Sequence, residues 1–242
     1  MSTVYDTIGV VYGDLRKPDP RIAAKIHRAL GGAKRVLNVG AGAGNYEPAD
    51  RDLIAVEPSA EMIRQRPKGS ARVIQASAEE LPFADKSFDA VMASLTVHHW
   101  TDKAKGMAEM RRVSRGPIVI FTFDPAFRSC WLTDYFPEIV TMDDAQMPKM
   151  SDYDGWLGSA SVSGVPIPHD CTDGFLYAYW RRPHAYLDPH IRKGISTFWK
   201  TKTVDAGIQR LSDDLESGQW KRRYGDLLHL DEIDCGYRLI VA

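Results

Sequence analysis

A doubly wound α/β domain built on a mostly parallel sheet is the fold class this sequence predicts, on three observations. Short aliphatic runs recur with helix-like segments between them, the pattern of buried parallel strands joined by crossovers. The first run, Arg35-Val-Leu-Asn-Val39, ends in glycines at alternate positions, Gly40, Gly42 and Gly44. Such glycines let the backbone turn tightly and approach a ligand with no side chain in the way. The second run, Asp52-Leu-Ile-Ala-Val56, ends in Glu57, and an acid closing the second strand characteristically takes ribose hydroxyls.

The chain has 242 residues, 44% of them hydrophobic, and a formal charge of −1. That length suits one α/β domain over 1–242 with a full core. A near-neutral balance gives nucleic acid no broad electrostatic attraction, so a small molecule is the expected partner. Cys130, Cys171 and Cys235 are odd in number and far apart, which points to neither a disulfide framework nor a zinc knuckle and fits a reducing cytoplasm. The N-terminus lacks the basic start and apolar run of a secretion signal, and no apolar stretch has the length of a membrane span.

In chain order, residues 1–18 are too polar for a core helix and read as a segment lying across the domain. Asp19-Pro20 opens a helix whose apolar face is Ile22, Ala23, Ile26, Ala29 and Leu30 and which ends at Gly31-Gly32. Only Asn45 to Arg51 separate the glycine turn from the second strand, too few for a full crossover helix. The abbreviated link brings Tyr46 and Glu47 near the ligand. Ser59 caps a short helix through Met62 to about Arg66, and Arg72 to Ser77 reads as a third strand. Ala90-Val-Met-Ala-Ser94 is a fourth, Thr101-Asp102 caps a helix with Ala104, Met107, Ala108 and Val113 toward the sheet, and Pro117 to Asp124 is a fifth.

The glycine spacing is G-x-G-x-G, not the G-x-G-x-x-G of dinucleotide enzymes. After the third strand comes Ala78-Glu-Glu-Leu-Pro-Phe83, then Phe88-Asp89 before the fourth. Together these motifs resemble the class I S-adenosylmethionine-dependent methyltransferases, in particular the ubiquinone/menaquinone-type branch, over about residues 1 to 124. One departure is Ser77, where that family usually has an aspartate for the adenine amino group. The resemblance implies a Rossmann-like methyltransferase fold of seven strands, with S-adenosylmethionine as cofactor. Gly40, Ala41, Gly42 and Gly44 would cradle its methionine portion, with Ser94 nearby. Glu57 would take the ribose, Pro58 and Met62 the adenine face, and Ser77, Ala78 and Glu79 its edge. Tyr12 and Arg16 would cover the donor, Arg16 pairing with its carboxylate.

In that fold the sixth strand lies at the edge and the seventh, antiparallel, inserts beside it. Ser161 to Pro168, with two prolines, suits an edge, and Gly236 to Ala242 suits the interior. Between them, residues 171–222 form an insertion, read as a helical cap in which Tyr177 and Trp180, three apart, share a helical face and line an acceptor pocket.

For the chemistry, His98-His99 follow the fourth strand at the crevice. The resemblance, in which a His before an aromatic at this place faces the active site, implies His99 as the base with His98 behind it; adjacent side chains of an extended strand diverge, so one of the two reaches the pocket. His169 with Asp170 is a second base-and-orienter pair on the substrate side. No metal site is indicated. The expected activity is methyl transfer to a small apolar or aromatic acceptor by a cytoplasmic monomer or homodimer. The alternatives are a nicotinamide-dependent oxidoreductase, which the glycine spacing disfavours, and a non-catalytic cofactor binder.

Overall fold

The computed structural model describes residues 15–242. Seven strands form one sheet in the order β3-β2-β1-β4-β5-β9-β6. They are β1 (Arg35–Val39), β2 (Asp52–Val56), β3 (Arg72–Ile74), β4 (Ala90–Ser94), β5 (Ile118–Phe123), β6 (Ser161–Gly164) and β9 (Tyr237–Val241). Strands β1 to β5 run parallel, and β9 lies antiparallel between β5 and β6, with Phe123 opposite Tyr237. Strand direction therefore brings the ends of β1, β2, β4 and β5 and the start of β9 to one edge of the sheet.

Alternation along the strands feeds two cores. Val36, Ala55, Ala90, Met92, Val119 and Phe121 pack under α1 (Pro20–Ala29) with Ile22, Ile26 and Leu30. Leu37, Val56, Val91, Ala93 and Ile120 pack under α3 (Lys103–Val113). The caps fall where the sequence puts them. Asp19 accepts the Arg21 amide at the start of α1, Ser59 accepts the Met62 amide in α2 (Ala60–Arg64), and Asp102 accepts the Lys105 amide in α3.

Several expectations are corrected. The buried face of α3 is Gly106, Met107, Met110 and Val113, while Ala104 and Ala108 are exposed. The bare Gly106 lets the helix sit against the Trp100 ring, where an added Cβ would come within 2.5 Å, and that contact rotates the alanines outward. The third strand stops at Ile74, because residues 75–77 leave the sheet to border a cavity. Ser161–Pro168 is not one strand. Pro166, which has no N–H to give a ladder, follows β6, and β7 (Ile167–Pro168) pairs instead with β8 (Glu232–Ile233) in a separate small sheet.

The link from β5 to β6 holds three helices the sequence reading passed over: α4 (Leu132–Tyr135), α5 (Glu138–Gln146) and α6 (Met150–Leu157). The long insertion is helical only in its later part. Residues 171–182 hold no helix, being irregular to 175 and turn over 176–181; a 3-10 segment Pro183–Leu187 follows, and then come α7 (Pro189–Lys193), α8 (Ser196–Lys200), α9 (Val204–Glu216) and α10 (Gln219–Tyr224). In α9, Leu211 is buried and Val204, Ile208 and Leu215 pack against the core, as their spacing implies.

Candidate cofactor and acceptor site

At the carboxyl edge of the sheet the chain turns at Gly40 and Gly42 with φ of +68° and +52°, conformations that side-chain-bearing residues rarely hold. A Cβ on Gly40 would lie 2.1 Å from Thr96 Oγ1. The amides of Gly40 and Ala41 both donate to the Val56 carbonyl at 2.9 Å, which pins the turn to β2. Glu57, next in β2's path, closes the arrangement: Oε2 accepts the Gly42 amide at 2.8 Å and Oε1 the Ser59 amide at 2.9 Å. The acid is thus oriented by the loop it faces.

Behind this turn lies a buried ion pair. Glu47 and Arg66 meet at 2.7 Å with side chains 11% and 4% exposed, and Asn38 Nδ2 donates to Glu47. Glu47 therefore braces the turn from the rear and does not stand at the ligand, a correction to the sequence reading. Gly44, near Arg66 and Glu47, also stays outside the lining.

A cavity of about 640 Å³ opens in front. Of the residues picked out from the sequence, Gly40, Ala41, Gly42, Glu57, Pro58, Met62, Ser77, Ala78, Glu79, Ser94, Arg16 and His99 border it. Tyr12 lies outside the described residues. Sequence reading missed Asn38, Leu95, Thr96 and Trp100 on the same wall. Their signal was adjacency to the motifs. Leu95 and Tyr46, both bordering the cavity, carry φ of +51° and +63°, and such non-glycine strain clusters at functional sites.

Two bordering residues are already engaged. Glu79 Oε1 accepts the Thr101 and Asp102 amides, holding the start of α3. Arg16, expected to face a ligand carboxylate, gives Nε to Asp173 Oδ1 at 2.5 Å, and Tyr46 donates its hydroxyl to the same carboxylate at 2.7 Å. Asp173 is fully buried. The insertion's first turn thus meets the cavity rim.

Val97–His99 form a 3-10 turn, reached from β4 through Leu95 and Thr96. The turn keeps the two rings together, centroids 3.9 Å apart, instead of splitting them as an extended strand would. His99 borders the cavity and His98 does not. His99 is open to solvent through the cavity mouth, yet protein surrounds it on most sides. Desolvation, with Lys200 and Lys103 adding positive field, lowers its pKa to about 4. Desolvation, then His99 and the same lysines, drives His98 well below the usual imidazole range.

The remaining substrate-side assignments do not converge on this cavity. Trp180 is fully buried, its Nε1 donating to the Ile167 carbonyl and its own carbonyl accepting from Trp131 Nε1, so it is packing. The Tyr177 ring packs tilted against Phe123 and edge-on to Tyr237. Neither sits on a helix, because both lie in the turn over residues 176–181. His169 lies away from the cavity lining, and Asp170 is taken by Arg21 at 2.7 Å. Among the described residues, no three metal-ligating side chains come together.

The wall fits an adenosyl-bearing ligand. Asn38 Oδ1 and Ser94 Oγ border the cavity buried and without a hydrogen-bond partner, an arrangement that native interiors rarely leave unanswered. The Glu57 carboxylate, oriented by the Gly42 and Ser59 amides, places acceptor oxygens on the wall. Met62 supplies an apolar surface, its Cε 3.4 Å from the position of a Cβ at Gly42. Fold and site together define an α/β architecture that binds a nucleotide-type ligand at the carboxyl edge of its sheet.

Comparisons with known proteins agree. A family model described as "Methyltransferase domain" matches residues 37–120. A crystal structure from Anabaena variabilis, provisionally described as a methyltransferase from an antibiotic biosynthesis pathway, is 36% identical. It covers 94% of this chain and 98% of that one, with a TM-score of 0.88. The ubiquinone/menaquinone biosynthesis C-methyltransferase UbiE of Geobacter sp. (strain M21) is 31% identical over 145 residues, 51% of this chain and 61% of that protein. The rice protein 2-methyl-6-phytyl-1,4-hydroquinone methyltransferase 2, chloroplastic, is 25% identical over 55% of this chain and 40% of its own. The chain thus spans less than two thirds of the length of these two curated relatives. It belongs to the class I S-adenosylmethionine-dependent methyltransferases, whose cofactor is S-adenosylmethionine.

Proposed function

We propose that this chain transfers a methyl group from S-adenosylmethionine to a small apolar or aromatic acceptor. The observation that carries the reading is a single cavity bordered by the Gly40–Gly42 turn, by Glu57 and by His99. Bound there, S-adenosylmethionine supplies a methyl group activated on sulfur. The chain's own residues align the two molecules and exclude water. Glu57 takes the ribose hydroxyls, the glycine turn the methionine end, Pro58 and Met62 the adenine face, and Ser77 to Glu79 its edge. Ser94 Oγ and Asn38 Oδ1 answer further polar groups.

An imidazole held neutral accepts a hydrogen bond from an acceptor hydroxyl. With a pKa near 4, His99 is a weak base, which suits positioning that hydroxyl over removing its proton unaided. The segment 171–222 closes the acceptor side, attached to the rim through Asp173. The names of the curated relatives, which specify quinone and hydroquinone biosynthesis, support an aromatic acceptor. We further propose a cytoplasmic monomer or homodimer without nucleic-acid partners. Among the described residues no helix is long and apolar enough to cross a membrane.

The test is calorimetry with S-adenosylhomocysteine and with NADH, followed by transfer of a labelled methyl group into a metabolite extract. Binding of the first ligand with labelled product supports the reading. Dinucleotide binding with no response to S-adenosylhomocysteine would refute it, and donor binding without any labelled product would leave a non-catalytic binder.

A further inference from the structure

The abbreviated link after the glycine turn carries a buried polar cluster that ends at the donor cavity. Glu47 and Arg66 are its base. Arg66 Nη2 donates to both Glu47 oxygens, at 2.9 and 2.7 Å, and to the Ala71 carbonyl at 3.3 Å, while Nη1 donates to the Gly42 carbonyl at 3.4 Å. Gly44 is bare where the pair packs, since a Cβ there would stand 3.2 Å from Arg66 Nη1 and 3.3 Å from Glu47 Oε2. The link is kinked at Tyr46, and from the kink Tyr46 reaches Asp173 on the rim while Glu47 reaches back to Arg66.

Glu47 also accepts Asn38 Nδ2 at 3.1 Å, and this decides which way the Asn38 amide faces. A carboxylate held by a guanidinium has no proton to give, so only the amide nitrogen can meet it and the amide oxygen turns the other way. Asn38 is 1% exposed, it borders the cavity, and its Oδ1 has no partner within the protein. Buried acceptors of this kind are answered in native complexes, so the missing donor belongs to a ligand.

Placement across the sheet says which ligand group that is. In the order β3-β2-β1-β4, Ser77 to Glu79 come after β3 and Glu57 after β2. Asn38 is on β1, opposite Met92 of β4, and Ser94 closes β4. The adenine amino group and the ribose hydroxyls of S-adenosylmethionine belong to the first two places. Its remaining hydrogen-bond donor, the ammonium of the methionine end, falls to the third.

We propose that Glu47 is a positioning residue for the donor: clamped by Arg66, it holds the Asn38 amide so that Oδ1 accepts a hydrogen bond from the ligand's ammonium. This rests on the S-adenosylmethionine reading of the cavity and deepens it. The arrangement keeps the Glu47 charge compensated in the interior and offers the ligand an acceptor that is oriented before it arrives. An Asn38 free to turn over would, in one of its two orientations, set its own NH2 against the ammonium, donor against donor.

The experiment is calorimetry on the full chain with three probes. They are S-adenosylhomocysteine, its desamino analogue in which hydrogen replaces the ammonium, and 5′-methylthioadenosine, which lacks the amino-acid portion altogether. The wild type should bind S-adenosylhomocysteine at least about tenfold tighter than the desamino analogue. Glu47→Gln, whose amide can meet Asn38 in either sense, should reduce that preference to about threefold, and Asn38→Leu should abolish it. The double variant Asn38→Asp with Glu47→Gln conserves total charge and reverses the hydrogen bond, the new amide donating to the new carboxylate. It should restore the preference to within about threefold of the wild type. Affinity for 5′-methylthioadenosine should stay within about twofold throughout.

Equal binding of S-adenosylhomocysteine and its desamino analogue by the wild type, or a full preference in Glu47→Gln, overturns the proposal. So does an equal loss for all three probes, because a brace that merely shapes the cavity would weaken each of them alike. A double variant no better than Glu47→Gln overturns the amide orientation, and if Asn38→Leu does not fold, the double variant and the wild-type ranking decide. A wild type that binds neither S-adenosylhomocysteine nor 5′-methylthioadenosine refutes the donor reading itself and this proposal with it, whereas binding of both with no preference for the ammonium refutes this proposal alone.

Discussion

Tyr46 donates its hydroxyl to Asp173 across 2.7 Å, joining the loop after the first strand to a residue 127 positions later. Arg16 closes the same carboxylate from a third segment at 2.5 Å. Burial and the Asp173 charge raise the Tyr46 phenol well above its usual range, so Tyr46 remains a donor at any working pH. The rim of the donor cavity is thus fastened by one buried acid.

Asp173→Ala should cost about 3 kcal/mol, or roughly 6 to 12 °C in melting temperature, because removing one partner of a buried ion pair leaves the other's charge poorly compensated. Donor affinity should fall as well, since Arg16 and Tyr46 both border the cavity. Thermal melts with and without S-adenosylhomocysteine measure both effects. An unchanged melting temperature would show that the fastening is dispensable.

Glu57→Ala removes a contact between an ionised acceptor and the ribose, worth about 1.5 to 3 kcal/mol, or ten- to a hundredfold in donor affinity. It also frees the Gly42 and Ser59 amides, so the glycine turn should loosen. Glu57→Gln keeps an oxygen for one of those amides and is expected to fall between Ala and the wild type. Calorimetry across the three proteins gives the order.

His98 and His99 both have folded pKa values below the ordinary 6.5. A depressed folded pKa contributes stability that is present above the unfolded pKa and lost as pH falls through the folded one. Melting temperature should therefore decline between pH 6.5 and 4, and less steeply in His99→Gln. Asp143 has the opposite sign, with its folded pKa raised to about 7. Its contribution is present at low pH and lost as pH rises through 7, so Asp143→Asn should raise the melting temperature more at pH 8 than at pH 5. In turnover, the same low pKa places no acid limb near 6.5 in the wild type. His99→Ala should lower turnover while donor affinity holds.

Trp180→Ala should destabilise the chain by about 3 to 5 kcal/mol, as large-to-small changes in packed cores do. Its indole hydrogen bond to Ile167 and its full burial place it in the insertion's core. The acceptor's Michaelis constant should be unaffected wherever the variant remains folded, and a specific rise in that constant at unchanged stability would return Trp180 to the substrate side.

The sequence by itself determined what depends on neighbours along the chain. Strand, glycine turn, strand and Glu57 lie within one stretch, so the turn's geometry and the acid's place were legible from spacing, as were the caps at Asp19, Ser59 and Asp102. His99 was legible because it lies just past the carboxyl end of β4, although the 3-10 turn that pairs its ring with His98 was not. What only the tertiary structure decided depends on segments meeting from afar. Arg16, Tyr46 and Asp173 carry no local signal for one another. The spacing of Tyr177 and Trp180 suggested a shared helical face because three residues make nearly one helical turn. Burial against Phe123, Tyr237 and Ile167 held that segment in turns instead, since packing of large aromatic rings outweighs a weak local preference.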